Sequence, residues 1–134
     1  MNLNRVYLAG GLHGKSDLDV AWFHIAQVGL EGMGYLVHNP LKYHDMRGRE
    51  PSFGQIRRMV ESDHNGVDWS DVLLCRPEGA GIGTGGEVYR AFKANKYIVM
   101  WGDCSPSALY YATVTFPMLW DATEHLRKLR AEAA

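Results

Sequence analysis

The densest set of residues able to do chemistry is Gly81-Ile82-Gly83-Thr84-Gly85-Gly86-Glu87. Glycines at this density let a backbone turn tightly and come close to a ligand. A helix that starts within the run leaves its first N–H groups free for an anion or a hydroxyl. Glu87 then falls in the first turn of that helix. It is either a carboxylate offered to a ligand or one that complements the helix dipole. A second set, Glu61-Ser62-Asp63-His64-Asn65-Gly66-Val67-Asp68-Trp69-Ser70-Asp71, places several carboxylates just ahead of an apolar run. Asp71 reads as a turn or cap acid at the entrance of a strand, and Asp68 as a solvated one. Asp63 reads as a surface acid unless the tertiary fold carries it to a site.

A third set is Ala9-Gly10-Gly11-Leu12-His13-Gly14-Lys15-Ser16. It has the form of a relaxed phosphate loop with Ala in place of the first Gly, in which Lys15 reaches phosphate and Ser16 ligates magnesium. No apolar strand ending in a magnesium-binding Asp follows. The match is treated as accidental, and the segment is kept as a loop whose backbone can hold a ligand. The six histidines are scattered, with no HxxxH or HExxH spacing. No metal and no other cofactor is expected.

These loops need elements to hold them. Arg5 to Ala9 is a short β-rich run ended by Gly10-Gly11. Asp17 to Glu31 carries Leu18, Ala21, Trp22, Ile25, Val28 and Gly29 at helical spacing and is stopped by Gly32 and Gly34. Tyr35 to Asn39 is a second strand closed by Pro40, and 41–51 is a polar loop. Ser52 and Gln55 have the capping-box form, which predicts a helix to about Asn65. Asp71 to Cys75 is a third strand, Thr84 to Asn95 a helix, Lys96 to Trp101 a fourth strand, and Trp120 to Glu132 a polar helix. Gly102 to Pro117 has no clear period. Alternating strands and helices predict an α/β fold with a mainly parallel sheet. Ligands of such sheets bind outside the carboxyl ends of the strands, where both glycine loops fall.

The bulk composition narrows the function classes. The 134 residues suit one domain, 1–134, with 46% hydrophobic and 22% charged residues. Net charge is -1, so no basic face invites a nucleic-acid backbone. Arg47, Arg49, Arg57 and Arg58 read as a solvated loop and helix face. Cys75 and Cys104 offer neither a metal spacing nor a disulfide framework, and reduced thiols suit the cytoplasm. The chain start has no apolar signal core, and no apolar run is as long as a membrane span. A cytoplasmic protein without a membrane partner is expected.

The order of features resembles a known family. It runs Val6-Tyr7-Leu8-Ala9-Gly10, then Gly34-Tyr35-Leu36-Val37 with Asn39-Pro40. Asp63 follows, eight residues before Asp71-Val72-Leu73-Leu74, and then Gly83-Thr84-Gly85-Gly86-Glu87 with Ala91 and Lys96. This resembles the nucleoside 2-deoxyribosyltransferases, including their nucleoside 5′-monophosphate N-glycosidase branch, over Arg5 to Trp101. Gly81 to Glu87 is also similar to the GxGTxxE motif of cytokinin-activating phosphoribohydrolases, which cleave a nucleotide N-glycosidic bond.

The resemblance implies a flavodoxin-like, Rossmann-like three-layer sandwich. It implies that Glu87 is the nucleophile, that Asp63 is the acid handling the nucleobase, and that Tyr7 lies near the nucleophile. Gly10, Gly11, His13 and Gly14 in one loop, and Gly81, Gly83, Thr84 and Gly85 in the other, are then expected to hold the substrate. That substrate is a nucleoside or nucleotide whose N-glycosidic bond is cleaved or transferred. Lys15, Ser16 and the two loops together favour a 5′-monophosphate. A homodimer or higher homo-oligomer is expected, with the apolar stretch from Leu109 to Leu119 covering the site. The alternatives are a non-catalytic nucleotide-binding module, which needs neither Glu87 nor Asp63, and a small phosphate-loop kinase, which needs Lys15 and Ser16.

Overall fold

The computed structural model describes residues 2–133. The element order is β1 (Arg5–Gly10), α1 (Asp17–Gly32), β2 (Leu36–His38), α2 (Pro40–Tyr43), α3 (Phe53–Trp69), β3 (Val72–Arg76), α4 (Ile82–Lys93), β4 (Tyr97–Trp101), α5 (Pro106–Tyr111), β5 (Val114–Phe116) and α6 (Leu119–Ala133). Val6 to Ala9 in β1 and Val72 to Cys75 in β3 are fully buried. A strand apolar on both faces needs cover on both, which is the condition of an interior parallel strand. The five strands lie in the order β2-β1-β3-β4-β5, and every neighbouring pair is parallel.

Side chains alternate between the two faces of the sheet. Val6, Leu8, Val72, Leu74 and Val99 meet Phe23, Ala26 and Leu30 of α1 and Leu126 of α6 on one face. Tyr7, Ala9, Leu73, Cys75, Ile98 and Met100 meet Val67 of α3 and Val88 and Ala91 of α4 on the other. Each fully buried Val, Leu or Ile contributes roughly 1.5–3 kcal/mol. The result is the three-layer, flavodoxin-like arrangement. The chain passes from β1 to β2 on one side and returns to β3 on the other. The direction therefore switches between β1 and β3, and a crevice opens outside their carboxyl ends.

Several expectations are corrected. The buried stripe of α1 is Val20, Phe23, Ala26 and Leu30, whereas Leu18, Ile25 and Val28 are exposed. α1 carries apolar residues on two stripes, and packing against β1 and β3 selects the one with Phe23 and Leu30. α4 starts at Ile82, so Glu87 lies in its second turn and not its first. α3 has the expected capping box of Ser52 and Gln55 but continues past Asn65 to Trp69. Gly66 does not stop it, because a glycine is required where the helix presses on Tyr7 and His38. A short helix, α2, interrupts the expected 41–51 loop, with Asn39 as its N-cap and Pro40 in its first turn. The segment without a period contains α5 and β5, of 6 and 3 residues, too short to show one. Among the described residues no helix is long and apolar enough to cross a membrane.

Candidate active site

Tyr7 is an interior residue of β1, on the face covered by α3 and α4. Its hydroxyl donates to Glu87 Oε2 at 2.9 Å, a bond between residues 80 positions apart in the chain. Glu87 projects from α4 and is 8% exposed. Burial first, and then the negative charge of Asp63, push its carboxyl up to about 8, with the Tyr7 hydrogen bond acting against them. The Tyr7 hydroxyl is held far above its ordinary range by burial and by the charges of Glu87 and Asp63, so it remains a donor.

Asp63 comes from α3 and faces the same hydroxyl. Burial raises its carboxyl, opposed by His44, Tyr7 and His64. His44 Nε2 lies 3.0 Å from Asp63 Oδ1. The two atoms meet off the line of a hydrogen bond, and both keep an unused hydrogen-bonding capacity. The negative charge of Asp63 opposes ionisation of Glu87, so the two carboxyls titrate as a pair.

The local sequence explains the placement. Gly66 lets α3 lie against β1: a Cβ there would stand 2.8 Å from Tyr7 Cε2 and 3.0 Å from His38 Nε2. The His38 ring stacks on Tyr7 at 5.1 Å, and Tyr43 stacks on His38 at 4.6 Å. This column fixes the plane of Tyr7. Burial holds the His38 imidazole below its ordinary pKa. Asn39 steadies α2 from both sides, accepting from Leu41 N at 3.0 Å and donating to the buried Gln27 at 3.0 Å. α2 in turn delivers His44 to Asp63.

A cavity of about 400 Å³ opens beside Glu87 and Asp63. Gly10 at the end of β1 and Gly11, Leu12 and His13 of the β1–α1 loop wall it on one side, and Gly79 to Gly81 of the β3–α4 loop with Ile82 to Thr84 of α4 on the other. The two glycine loops therefore do converge on one edge of the sheet. Of the residues expected to hold substrate, Gly10, Gly11, His13, Gly81, Gly83 and Thr84 line this cavity. Gly14 does not; at φ +70 it turns the loop. Gly85 faces a neighbouring cavity of about 190 Å³ beside Cys75, Val88 and Met100. A wider groove of about 740 Å³ runs past His38, Tyr43 and Trp69 but holds no buried carboxylate. Glu87 and Asp63 line the smaller space.

Two further residues, Ser16 and Lys15, stand otherwise than expected, whereas Asp68 is exposed as expected. Ser16 is the N-cap of α1, and its hydroxyl is engaged with Asp19 in a capping box. Lys15 lies against Gly79 and lines a separate cavity of about 120 Å³ with Asp19, Trp22 and Arg76. Asp68 is bound by Arg90 through two hydrogen bonds of 2.7 Å. Asp71 behaves as a cap, accepting from the N–H groups of Asn4 and Arg5 at 2.9 and 3.0 Å. Sequence reasoning missed His44 and His38. No spacing marks either, and Asn39-Pro40 between them signals only a turn. Among the described residues no cluster of three or more His, Cys, Asp or Glu is placed to hold a metal ion.

With this geometry in place, solved structures give a comparison. The 2-deoxyribosyltransferase of Bacillus psychrosaccharolyticus matches with a TM-score of 0.71 at 16% identity, over 89% of this chain and 90% of that one. This chain has the fold of that 2-deoxyribosyltransferase. A conserved protein from Enterococcus faecalis matches with a TM-score of 0.70 at 13% identity, over 99% and 100% of the two chains. The CMP N-glycosidase of Clostridium botulinum matches with a TM-score of 0.55 at 16% identity, over 94% and 98%. No protein-family model and no curated protein sequence matches the chain. At such identities the likeness is one of fold, and what the 2-deoxyribosyltransferase fold does in this chain is argued from its own residues.

Proposed function

We propose that this chain is an enzyme that cleaves or transfers the N-glycosidic bond of a nucleoside or its 5′-monophosphate. The observation that carries this reading is the buried Glu87 carboxyl, bonded to Tyr7 and paired with Asp63 at the wall of a cavity. Glycosidic cleavage passes through an oxocarbenium-like transition state, which asks for one carboxylate at the anomeric carbon and one proton for the leaving group. Tyr7 holds Glu87 Oε2, leaving the other oxygen to attack the anomeric carbon. The C–N bond breaks, its electron pair goes to the base, and the proton of Asp63 moves to that base. Water then attacks the glycosyl ester with Asp63 as base, which makes a hydrolase; a second base attacking instead makes a transferase. The chemistry named for the 2-deoxyribosyltransferase and the CMP N-glycosidase of similar fold supports this reading.

A non-catalytic nucleotide-binding module would keep the cavity but has no use for two carboxyls held against their preferred ionisation. Incubation with a panel of nucleosides and monophosphates, followed by chromatography for free base, tests the proposal. Release of a base is expected. Tight nucleotide binding without base release from any substrate would favour the binding module.

We infer a preference for the 5′-monophosphate. α4 has Gly81 as its N-cap and no side-chain cap, so its first N–H groups stay open to a ligand oxygen. Thr84 and His13 add polar groups on the same cavity wall. Comparing kcat/KM for one nucleoside and its monophosphate tests this, and a clear preference for the nucleoside would refute it. The free thiols of Cys75 and Cys104 fit a reducing compartment, so a cytoplasmic location is proposed, to be checked by cell fractionation.

A second copy of the chain is proposed to cover the α3–α4 side of the molecule. The first two turns of α3 bury no residue, yet they carry Phe53 (82% exposed), Ile56 and Val60 at helical spacing. Tyr89 and Phe92 of α4 and Tyr110 of α5 extend this exposed apolar surface. Arg57 and Arg58 of α3 lie between Glu50, just before the helix, and Glu61 on it, so an antiparallel copy of the same segment places opposite charges together.

A further inference from the structure

The connection between α2 and α3, residues 44–52, carries His44, and the hydrogen bonds that join it to the β1–α1 loop come from Arg47. The Arg47 guanidinium is well covered, its side chain 19% exposed. Its Nε donates to Asp45 Oδ1 at 2.9 Å, and its Nη2 donates to Asp45 Oδ2 at 2.8 Å. The same Nη2 donates to Asp17 Oδ1 at 3.0 Å, and Nη1 donates to the Lys15 carbonyl oxygen at 3.3 Å. Lys15 is itself tied to the cavity wall, its N–H donating to the Leu12 carbonyl oxygen at 3.1 Å. Arg47 thus joins the segment that holds His44 to the segment that presents Leu12 and His13.

We propose that Arg47 is a positioning residue. By clasping the 44–52 connection to the β1–α1 loop, it keeps His44 against Asp63 and so holds the Asp63 carboxyl in the place from which it hands its proton to the leaving base. The inference rests on the reading of Asp63 as the proton donor. Three features carry it. The connection is a turn with Gly48 at φ +72, and Arg47 carries its side-chain hydrogen bonds to Lys15 and Asp17. His44 lies three positions before Arg47 and touches Asp63 at 3.0 Å. The bonds need a planar fork, with Nε and Nη2 on Asp45, the same Nη2 on Asp17 and Nη1 on the Lys15 carbonyl. An ammonium places its donors on one nitrogen and cannot span these acceptors.

The test is a double-mutant cycle on the full chain, with base release as the readout. Arg47→Ala is expected to slow base release about ten- to a hundredfold, the scale of a misplaced catalytic group. Arg47→Lys should recover only part of this. In a His44→Ala background, Arg47→Ala should change the remaining rate less than about twofold, because the contact it supports is already gone.

A second readout uses a sugar carrying p-nitrophenol at the anomeric carbon. That group departs as a stable anion without a proton, so Arg47→Ala should leave the pre-steady-state burst of its release within about twofold. Thermal melts of each variant report folding. An equal effect of Arg47→Ala with and without His44 overturns the proposal. So does equal slowing of base and p-nitrophenolate, or a normal rate of base release. Wild-type protein that releases no base from any nucleoside or monophosphate refutes the functional reading instead, before any variant is made.

Discussion

A Cβ on Gly11 would lie 2.7 Å from the carbonyl oxygen of Gly79, so the two loops that wall the candidate cavity touch backbone to backbone. Real Cβ atoms do not sit that close to an oxygen, and backbone on one side cannot rotate away. Gly11→Ala must push the β1–α1 and β3–α4 loops apart. We predict a loss of about 1–3 kcal/mol in stability, as for other overpacked positions, together with a raised KM. Gly14→Ala is the control. Nothing stands within 4 Å of its Cβ position, and only its φ of +70 resists a side chain. It should cost about 1–2 kcal/mol and leave KM alone. Melts and steady-state kinetics on both variants decide the matter; equal changes in KM would count against the loop contact.

Glu87→Ala is expected to lose nearly all base release while remaining folded. Glu87→Gln carries a sharper test in stability. Burial and Asp63 raise the Glu87 carboxyl from 4.5 to about 8. A raised folded-state pKa means that the folded protein prefers the neutral carboxyl. Its contribution to stability is fully present below about 4.5 and is lost as pH rises through about 8. The wild type should therefore lose stability over that window, by an amount on the order of a few kcal/mol at most. Glu87→Gln, neutral throughout, should melt higher than wild type at pH 8–9 and show no such gain near pH 4. Parallel melting curves at both pH values would contradict the buried-carboxyl account.

Asp63→Asn should slow base release by roughly two to four powers of ten if the residue transfers a proton. Binding of a substrate analogue should weaken far less. Loss of binding and turnover in equal measure would make Asp63 a ground-state contact. The pH profile supplies a second check. The productive form of the Glu87–Asp63 pair holds one proton, so the rate should fall when the second proton leaves, near the raised Glu87 value of about 8. In Asp63→Asn that alkaline decline should vanish, because the proton handed to the base is gone and ionising Glu87 then only supplies the nucleophile.

Self-association through α3 is open to a direct measurement. Phe53 and Ile56 are exposed and lie on the outer half of the helix, away from Asp63. Phe53→Ser with Ile56→Asp should shift light scattering toward the monomer and leave the melting transition nearly unchanged. A wild type that is monomeric and active when dilute would remove the proposed interface.

Much of the frame was legible in the residues, because the signals are local. β-rich runs followed by glycine turns and the Ser52–Gln55 capping box are each encoded within a few positions of one another. The glycine loops were readable for the same reason, and parallel βαβ order then placed them on one edge. The α1 stripe was misread because two apolar stripes compete on that helix, and only contact with the sheet decides between them. Glu87 was one turn out of place because glycines leave the start of a helix undefined.

The candidate site divides along the same line. The chain by itself determined which carboxylates stand near glycine turns and how strands and helices alternate, since backbone propensity and hydrophobic period act over a few residues. Only the tertiary structure decided that Tyr7 bonds Glu87 and that His44 stands on Asp63. It also turned the Lys15 side chain into a separate cavity and bound the Arg47 guanidinium to Asp45, Asp17 and the Lys15 carbonyl. Hydrogen bonds and buried charges depend on distance in space. The order of the strands, and not the order of the residues, sets those distances.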